Sequence, residues 1–267
     1  GQLNPTVGGI AGNLAKARQA REDAARHGAD LVLLTELFIA GYPPEDLVLK
    51  PAFLKNCLKA IETLAAETDD GGPAVVIGYP RFEGDKRYNS VAVLDGGKII
   101  ASRDKVDLPN YGEFDEKRVF HVGEMPGPVS IRGVRFGIPV CEDIWGDLGV
   151  CETLSESGAE ILIVPNGSPY YRGKVDIRQQ VVLRQVIESR LPMIYANQVG
   201  GQDELVFDGA SFAMNADKSL AFQMSQFEET VSVATYKRQD HGAWTCAKGP
   251  MSVIPEREEA DYRACML

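Results

Sequence analysis

Cys141 ends a short apolar run and is followed at once by two acids, in the segment RFGIPVCEDIW that spans residues 135–145. A continuous apolar run is typical of a buried strand, and open α/β sheets place their chemistry at strand ends. A thiol at such a position could attack a carbonyl carbon. It could equally be a structural cysteine, because free cysteine is among the most buried residue types. The segment alone leaves both interpretations open.

Two charged residues occupy comparable positions. Glu36 ends the apolar run of residues 29–37, and Lys105 follows the second strand of a predicted hairpin. Each charge alone would usually be a solvated surface residue. Together with Cys141 they meet the requirements of acyl transfer. A carboxylate can take the thiol proton, and an ammonium group can stabilise both a thiolate and an oxyanion.

Histidine offers poor support for a Cys–His dyad. The chain has 3 histidines, of which His27 falls at the end of a predicted helix and His241 in a polar loop. The base for a nucleophilic Cys141 is therefore predicted to be a carboxylate.

The composition restricts the class of protein. A hydrophobic fraction of 44% and a charged fraction of 25% over 267 residues are ordinary for a globular domain, and no stretch is apolar enough for a membrane span. A net charge of −10 argues against nucleic-acid and anionic-membrane partners. The 5 cysteines lack metal-ligand spacing, so we expect reduced thiols, no metal site and a cytoplasmic location.

Strand and helix signals alternate along the chain and predict a mixed sheet layered with helices. Asn13 is predicted to cap a first helix that Gly28 ends, and Pro51 to begin a second. Residues 90–105 predict a hairpin around Asp95-Gly96-Gly97. The other predicted elements are strands at residues 29–37, 74–80, 161–166 and 192–201, a helix at 175–188, a hairpin at 209–223 and a short helix in the last twelve residues.

The Glu36, Lys105 and Cys141 trio, in these contexts, resembles the nitrilase (carbon-nitrogen hydrolase) superfamily. Longer segments are similar to the glutaminase domain of glutamine-dependent NAD+ synthetases: QLNPTVGGIAGN, TELFIAGYPPEDL, DKVDLPNYGEFDEKRVF, CEDIWGD, NGSPYYRGK and NQVGGQDELVFDGASF. They run nearly end to end and in order. One departure is Gly167 in NGSP, where the resemblance leads us to expect alanine and only a small effect.

The resemblance implies a role for each matching residue. Cys141 would be the nucleophile that forms a glutamyl thioester, Glu36 the general base, and Lys105 the group that stabilises the oxyanion together with the backbone N–H after Cys141. The residues implied in binding glutamine are Tyr111, Ser168 and Lys174. Glu113 is implied as a supporting second glutamate that holds the lysine and the substrate. Glu142 and Asp143 are interpreted as turn and hydrogen-bonding residues rather than metal ligands.

The resemblance also implies an architecture and partners. The expected fold is α/β, a nitrilase-type four-layer αββα sandwich of two mixed sheets flanked by helices. Residues 1–235 would form the glutaminase (amidotransferase) domain, and residues 236–267 a linker toward a synthetase domain that this chain lacks. No cofactor is implied for the glutaminase domain. ATP and Mg2+ are implied for the synthetase domain, and the chain has no Ser-Gly-Gly pyrophosphate loop of the family's kind.

The hypothesis favoured by these segments is a glutamine amidohydrolase that supplies ammonia for the amidation of nicotinic acid adenine dinucleotide, in a homo-oligomeric enzyme. Two alternatives remain. The triad equally fits a free-standing nitrilase-type amidase that acts on another small amide. The chain could also be a non-catalytic assembly module, although the intact triad argues against that interpretation.

Overall fold

A computed structural model describes residues 1–240 and 242–267 of the chain. His241, predicted to lie in a polar loop, falls outside the described residues. The helices are α1 (Ile10–Arg26), α2 (Pro51–Glu67), α3 (Glu116–Val119), α4 (Val150–Glu156), α5 (Lys174–Ser189) and α6 (Arg257–Ala264). Within the described part of the chain, no helix is long and apolar enough to cross a membrane.

The first sheet is built from consecutive strands in the order β1-β2-β3-β4. β1 pairs in parallel with β2, and the remaining neighbours are antiparallel. The predicted hairpin is confirmed, and both of its turn glycines, Gly96 and Gly97, have the positive φ that such turns require. The strand bounds are β1 (Leu31–Leu33), β2 (Ala74–Glu83), β3 (Lys86–Asp95) and β4 (Lys98–Asp104).

The second sheet has the order β12-β11-β8-β7-β6-β5, with β6, β7 and β8 mutually parallel and the outer strands antiparallel. Its strands are β5 (Val129–Ile131), β6 (Val134–Gly137), β7 (Ile161–Asn166), β8 (Met193–Asn197), β11 (Phe212–Met214) and β12 (Leu220–Gln223). Two small hairpins accompany it, formed by β9 (Val199–Gln202) with β10 (Leu205–Asp208) and by β13 (Thr235–Arg238) with β14 (Trp244–Lys248).

Three apolar clusters hold these elements together. One packs α1 and α2 on one face of the first sheet, with Ile61 and Ile77 fully buried. A second joins the two sheets through residues such as Val76 of β2 and Ile163 of β7. A third packs α4 and α5 on the second sheet, with Val182 and Tyr195 fully buried. The chain is therefore a mixed α/β fold whose sheets are covered by helices.

Two predicted boundaries were wrong. α1 begins at Ile10 rather than after Asn13, because the buried Asn13 side chain bonds the Thr6 backbone and the Ile39 carbonyl instead of capping a helix. β1 ends at Leu33, and Leu37 has a φ of 45°, which no extended strand residue adopts. Glu36 therefore lies in a turn after β1 rather than at the end of a strand.

Parts of the chain beyond residue 235 pack against the rest of the fold. Tyr236 and Trp244, from the β13–β14 hairpin, pack on the apolar cluster between the two sheets. The predicted domain boundary thus falls at the start of a packed hairpin.

Candidate active site

Cys141 stands in a tight turn beyond β6. It begins a single 3-10 turn, Cys141–Ile144, and its side chain is buried with 5% exposure. Its φ of 44° lies in the left-handed region, which costs energy in any residue other than glycine and is common at functional sites. The backbone thus holds the thiol in an orientation that an ordinary strand or helix would not give it.

Glu36 is completely buried at the turn after β1. Its Oε1 accepts hydrogen bonds from Lys105 Nζ at 2.7 Å and from Asn89 Nδ2 at 2.7 Å. Its Oε2 accepts the backbone N–H of Gly167 at 2.9 Å. The carboxylate therefore contacts residues from both sheets and their loops.

Lys105, also fully buried, follows β4 and donates to two carboxylates. Its Nζ contacts Glu36, and both oxygens of Glu116 at 2.9 and 3.0 Å. Burial alone would lower the pKa of Lys105, but the adjacent carboxylates of Glu116 and Glu36 outweigh it and hold that pKa well above its ordinary value. The ammonium group therefore remains charged and available to stabilise negative charge.

The Cys141 thiol is held in its protonated form. Burial raises its pKa well above the ordinary value and the charge of Glu36 raises it further, while Lys105 and the Gly167 N–H oppose these effects. Glu36 and Lys105 share a hydrogen bond, and the charges of both act on the Cys141 thiol. A thiol of this kind needs a base at the moment of attack, and Glu36 is the adjacent carboxylate.

The carboxylate that holds Lys105 is Glu116, not Glu113. Glu113 is exposed and lines a small cavity beside Tyr42, whereas Glu116 is buried and accepts hydrogen bonds from Lys105, Asn89 and the Tyr42 hydroxyl. The prediction that Glu113 holds the lysine is therefore wrong, because Glu116 makes that contact. Burial raises the pKa of Glu116.

Glu116 was not among the predicted site residues, because the sequence analysis predicts no helix at residues 116–119. The short helix α3 places Glu116 on the same face as Val119 and Phe120, three and four residues later. Both apolar residues are buried in a cluster with Tyr42. The spacing of those two side chains from Glu116 is a local sign that this acid faces the interior, but it does not show the long-range bonds that bring Glu116 to Lys105.

Tyr111 and Lys174, both predicted to bind substrate, contact residues that follow the nucleophile. The Tyr111 hydroxyl donates to Glu142 at 2.9 Å and its ring is 56% exposed. Lys174, the first residue of α5, places its Nζ 4.4 Å from the ring centroid of Trp145. Both side chains therefore lie against the turn that Cys141 begins, Tyr111 through Glu142 and Lys174 through a cation–π contact with Trp145.

Ser168, the third predicted binding residue, is held from behind by a buried arginine. Arg178 of α5 is fully buried and its Nε donates to Ser168 Oγ at 3.1 Å. Its other nitrogens donate to the Ser168 and Pro169 carbonyls and to Asp208. The loop after β7 is thereby fixed at Ser168, while its Gly167 N–H fixes the neighbouring Glu36.

Gly167 is tightly enclosed. A methyl group added at its Cα would lie 2.6 Å from Cδ1 of the Tyr42 ring. Alanine at this position would require that ring to move, and the expectation that the difference between glycine and alanine has only a small effect stays a prediction.

No group of three or more His, Cys, Asp and Glu side chains is arranged to hold a metal ion in residues 1–240 and 242–267. Glu142 and Asp143 instead accept hydrogen bonds, as predicted. The arrangement described above consists of a thiol, a carboxylate base and a fixed ammonium group, which suits acyl transfer from an amide or ester.

The carbon-nitrogen hydrolase family model matches residues 1–245, and the chain belongs to this family. The chain is 46% identical over 268 aligned residues to a glutamine-dependent NAD+ synthetase from Rhodobacter capsulatus, covering 100% of this chain and 48% of that protein. The chain thus spans about half the length of this curated relative.

Solved structures agree with the family. A glutamine-dependent NAD+ synthetase from Acinetobacter baumannii, in complex with ADP, has a TM-score of 0.90 and 35% identity and covers 98% of this chain and 49% of its own. A variant of the amidase from Nesterenkonia sp. AN1 has a TM-score of 0.76 and 26% identity, with 84% of each chain covered. That structure shows covalent addition of the acetamide moiety of fluoroacetamide at the amidase's active-site cysteine.

Proposed function

We propose that the chain is the ammonia-producing half of a glutamine-dependent NAD+ synthetase and hydrolyses glutamine to glutamate. The observation that carries this proposal is the 46% identity to such a synthetase over the whole chain, with a cysteine, a glutamate and a lysine together in one buried site. The same relationship supports a four-layer αββα sandwich, in which the three apolar clusters form successive interlayer contacts.

In the proposed reaction, Glu36 takes the proton of Cys141 as the thiolate attacks the side-chain amide carbon of glutamine. Lys105 and the backbone N–H after Cys141 stabilise the oxyanion of the tetrahedral intermediate. Glu36 then gives its proton to the departing nitrogen, ammonia leaves, and a glutamyl thioester remains. Water attacks the thioester after losing a proton to Glu36, and that proton returns to the thiolate as glutamate is released.

Tyr111, Ser168 and Lys174 are proposed to bind the polar groups of the substrate. They stand on three different segments. Tyr111 contacts Glu142 and Lys174 contacts Trp145, both shortly after Cys141, and Ser168 follows Gly167, whose N–H bonds Glu36. The ammonium group of Lys174 suits a carboxylate, and the two hydroxyl groups suit hydrogen bonding. Such contacts would place the amide carbon near the thiol and lower the barrier by orientation.

The proposed partner is a synthetase portion of the same polypeptide. That portion would use ATP and Mg2+ to activate nicotinic acid adenine dinucleotide, and the ammonia released here would amidate it to NAD+. Transfer between enclosed sites would prevent loss of ammonia to water. We further propose that residues 1–235 form the catalytic domain and residues 236–267 a linker. We also propose a homo-oligomeric assembly with no nucleic-acid partner. The free cysteines favour a cytoplasmic location.

The proposal is tested by measuring glutamate release from glutamine by the purified chain and by its Cys141→Ala variant. We expect release by the parent and none by the variant, because the thioester cannot form. Cys151→Ala is the matched control, since Cys151 is a buried thiol in the neighbouring helix α4 and should leave the rate unchanged. Glutamate release that persists in the Cys141→Ala variant would contradict the assignment.

A second candidate function is a free-standing amidase that acts on another small amide. Its support is the likeness to the Nesterenkonia amidase, which covers 84% of that protein's own length. A panel of acetamide, propionamide, acrylamide, asparagine and glutamine separates the two. A kcat/KM for a simple amide that exceeds the value for glutamine by orders of magnitude would favour the amidase.

A further inference from the structure

Asp143 is a buried carboxylate, 4% exposed, that lies two residues after the nucleophile. Its Oδ1 accepts the backbone N–H groups of Val106 at 2.9 Å and Asp107 at 2.8 Å. Its Oδ2 accepts the backbone N–H of Val140 at 2.8 Å. All three contacts are with backbone N–H groups, so the carboxylate fixes the position of the backbone rather than of other side chains.

These three N–H groups belong to the two segments that carry the reacting side chains. Val106 and Asp107 directly follow Lys105 as the chain leaves β4 of the first sheet. Val140 directly precedes Cys141, beyond β6 of the second sheet. A single side chain therefore fixes the backbone next to the ammonium group against the backbone next to the thiol.

We infer that Asp143 is a positioning residue that sets the distance between Cys141 and Lys105 by clamping the ends of two sheets with both carboxylate oxygens. The inference rests on the proposed acyl-transfer function of the triad. It also accounts for the left-handed backbone of Cys141, since the bond from Val140 N–H to Asp143 closes the turn around that residue.

The ionised form of Asp143 is the form that fits this role. Two oxygens that carry no proton can accept three N–H groups, whereas a protonated carboxyl group turns its own O–H toward one of them. Burial raises the pKa of Asp143 to about 7, opposed by its backbone hydrogen bonds and by Lys105. A pKa above the unfolded value of about 3.9 means that stability is lost as pH rises from about 4 to about 7. Near neutral pH the ionised Asp143 side chain thus lowers the stability of the fold, although it is the form that makes all three backbone hydrogen bonds.

The charged and titratable groups around Asp143 come from several elements. Lys105 acts on it from the end of β4 and Cys151 faces it from α4. The Asp107 carboxylate lies against Gly146 on the same turn, and Arg184 of α5 donates to the Ile144 and Trp145 carbonyls. Glu142 points to Tyr111 instead.

The decisive variant is Asp143→Asn, which preserves shape but presents an amide N–H2 to one backbone N–H group. We expect kcat for glutamine at pH 8 to fall about 10²-fold, with KM within threefold, because a displacement of about 1 Å between reacting groups has an effect of that size. The rate of Cys141 alkylation by iodoacetamide, followed by mass spectrometry, should fall in parallel. The loss of alkylation rate on acidification through pH 7 should be smaller in the variant than in the parent.

Asp217→Asn is the matched control, because Asp217 also accepts a backbone N–H, that of Ser219 at 2.9 Å, on the exposed turn between β11 and β12. Its kcat and alkylation rate should equal those of the parent. Values for a folded Asp143→Asn variant within threefold of the parent would overturn the inference. A parent that alkylates at Cys141 but releases no glutamate would contradict glutamine hydrolysis by this chain on its own, while the alkylation comparison would still decide the role of Asp143.

Should Asp143→Asn fail to fold, the parent protein provides the test. The amide proton signals of Val106, Asp107 and Val140 in a 15N-labelled sample should titrate together between pH 5 and 9, with the same midpoint as the alkylation rate. Amide signals that titrate together with a midpoint that the alkylation rate does not share would overturn the inference.

Discussion

At the scale of single residues, the site depends on hydrogen bonds that fix groups already close to one another. Lys105 is shared by Glu36 and Glu116, and Glu116 is in turn held by the Tyr42 hydroxyl at 3.0 Å. The Tyr42 ring lies directly over Gly167, whose N–H contacts Glu36. One ring thus connects the base, the lysine and the loop that follows β7.

Gly167→Ala tests this connection. The added methyl group would push the Tyr42 ring away, which would disturb its bond to Glu116 and the position of Lys105. We expect kcat to fall by about 10-fold to 10²-fold, as displacements near reacting groups do. The measurement is glutamate release under saturating glutamine.

Gly127→Ala is the control for that experiment, because a methyl group there meets nothing within 4 Å and its backbone φ is not positive. Its activity should match the parent. A Gly167→Ala variant with parental kcat would show that the Tyr42 ring adapts without consequence for the site.

At the scale of secondary-structure elements, most of the fold was predictable from local pattern. The hairpin over residues 90–105, the helix that begins at Pro51 and the strand at residues 161–166 were confirmed, because turn glycines, an N-terminal proline and a continuous apolar run determine them locally. The start of α1 and the identity of Glu116 were not predictable in this way. Asn13 and Glu116 take their positions from bonds to residues far along the chain.

Helix α5 and strand β10 are joined by a buried ion pair whose contribution to stability can be measured. Arg178 and Asp208 contact at 2.8 Å, with side chains 1% and 0% exposed. Removing one partner leaves the other charge buried without compensation. We therefore expect Arg178→Met to lower the free energy of unfolding in urea by about 3–5 kcal/mol.

The paired variant Arg178→Met with Asp208→Asn should recover part of this loss, because a neutral amide no longer needs the guanidinium group. Lys16→Met is a matched control on an exposed pair with Glu229, 36% and 41% exposed, and should change the free energy by about 0–1 kcal/mol. An Arg178→Met variant as stable as this control would contradict the buried-charge argument.

At the scale of the whole molecule, the last helix, α6, contacts the loop between β7 and α5. Asp261 of α6 accepts the Tyr170 hydroxyl at 2.9 Å and Arg172 Nε at 2.8 Å. Tyr170 and Arg172 lie between Ser168 and Lys174, the residues proposed to bind substrate. Contacts between residues about ninety positions apart thus connect the last helix to the loop that carries Ser168.

Asp261→Ala should loosen this loop without unfolding the protein. Arg172 is 62% exposed and Asp261 26% exposed, so loss of this partly exposed pair should lower the free energy of unfolding by about 1 kcal/mol. The loop would then sample more conformations, and ordering it on binding would raise KM for glutamine several-fold while kcat changes little. Steady-state kinetics, with hydrogen exchange of residues 167–173, measure both effects.

Glu259→Ala is the matched control, because Glu259 pairs with Arg263 inside the same helix, at 2.6 Å, four residues apart. It removes a charge of the same sign from α6 but leaves the loop contacts in place. A KM that rises equally in both variants would mean that the helix acts through its charge or its own stability. A rise confined to Asp261→Ala, together with faster exchange in residues 167–173, would show that α6 holds the loop between β7 and α5, so that a protein bound to this helix would alter the proposed glutamine site.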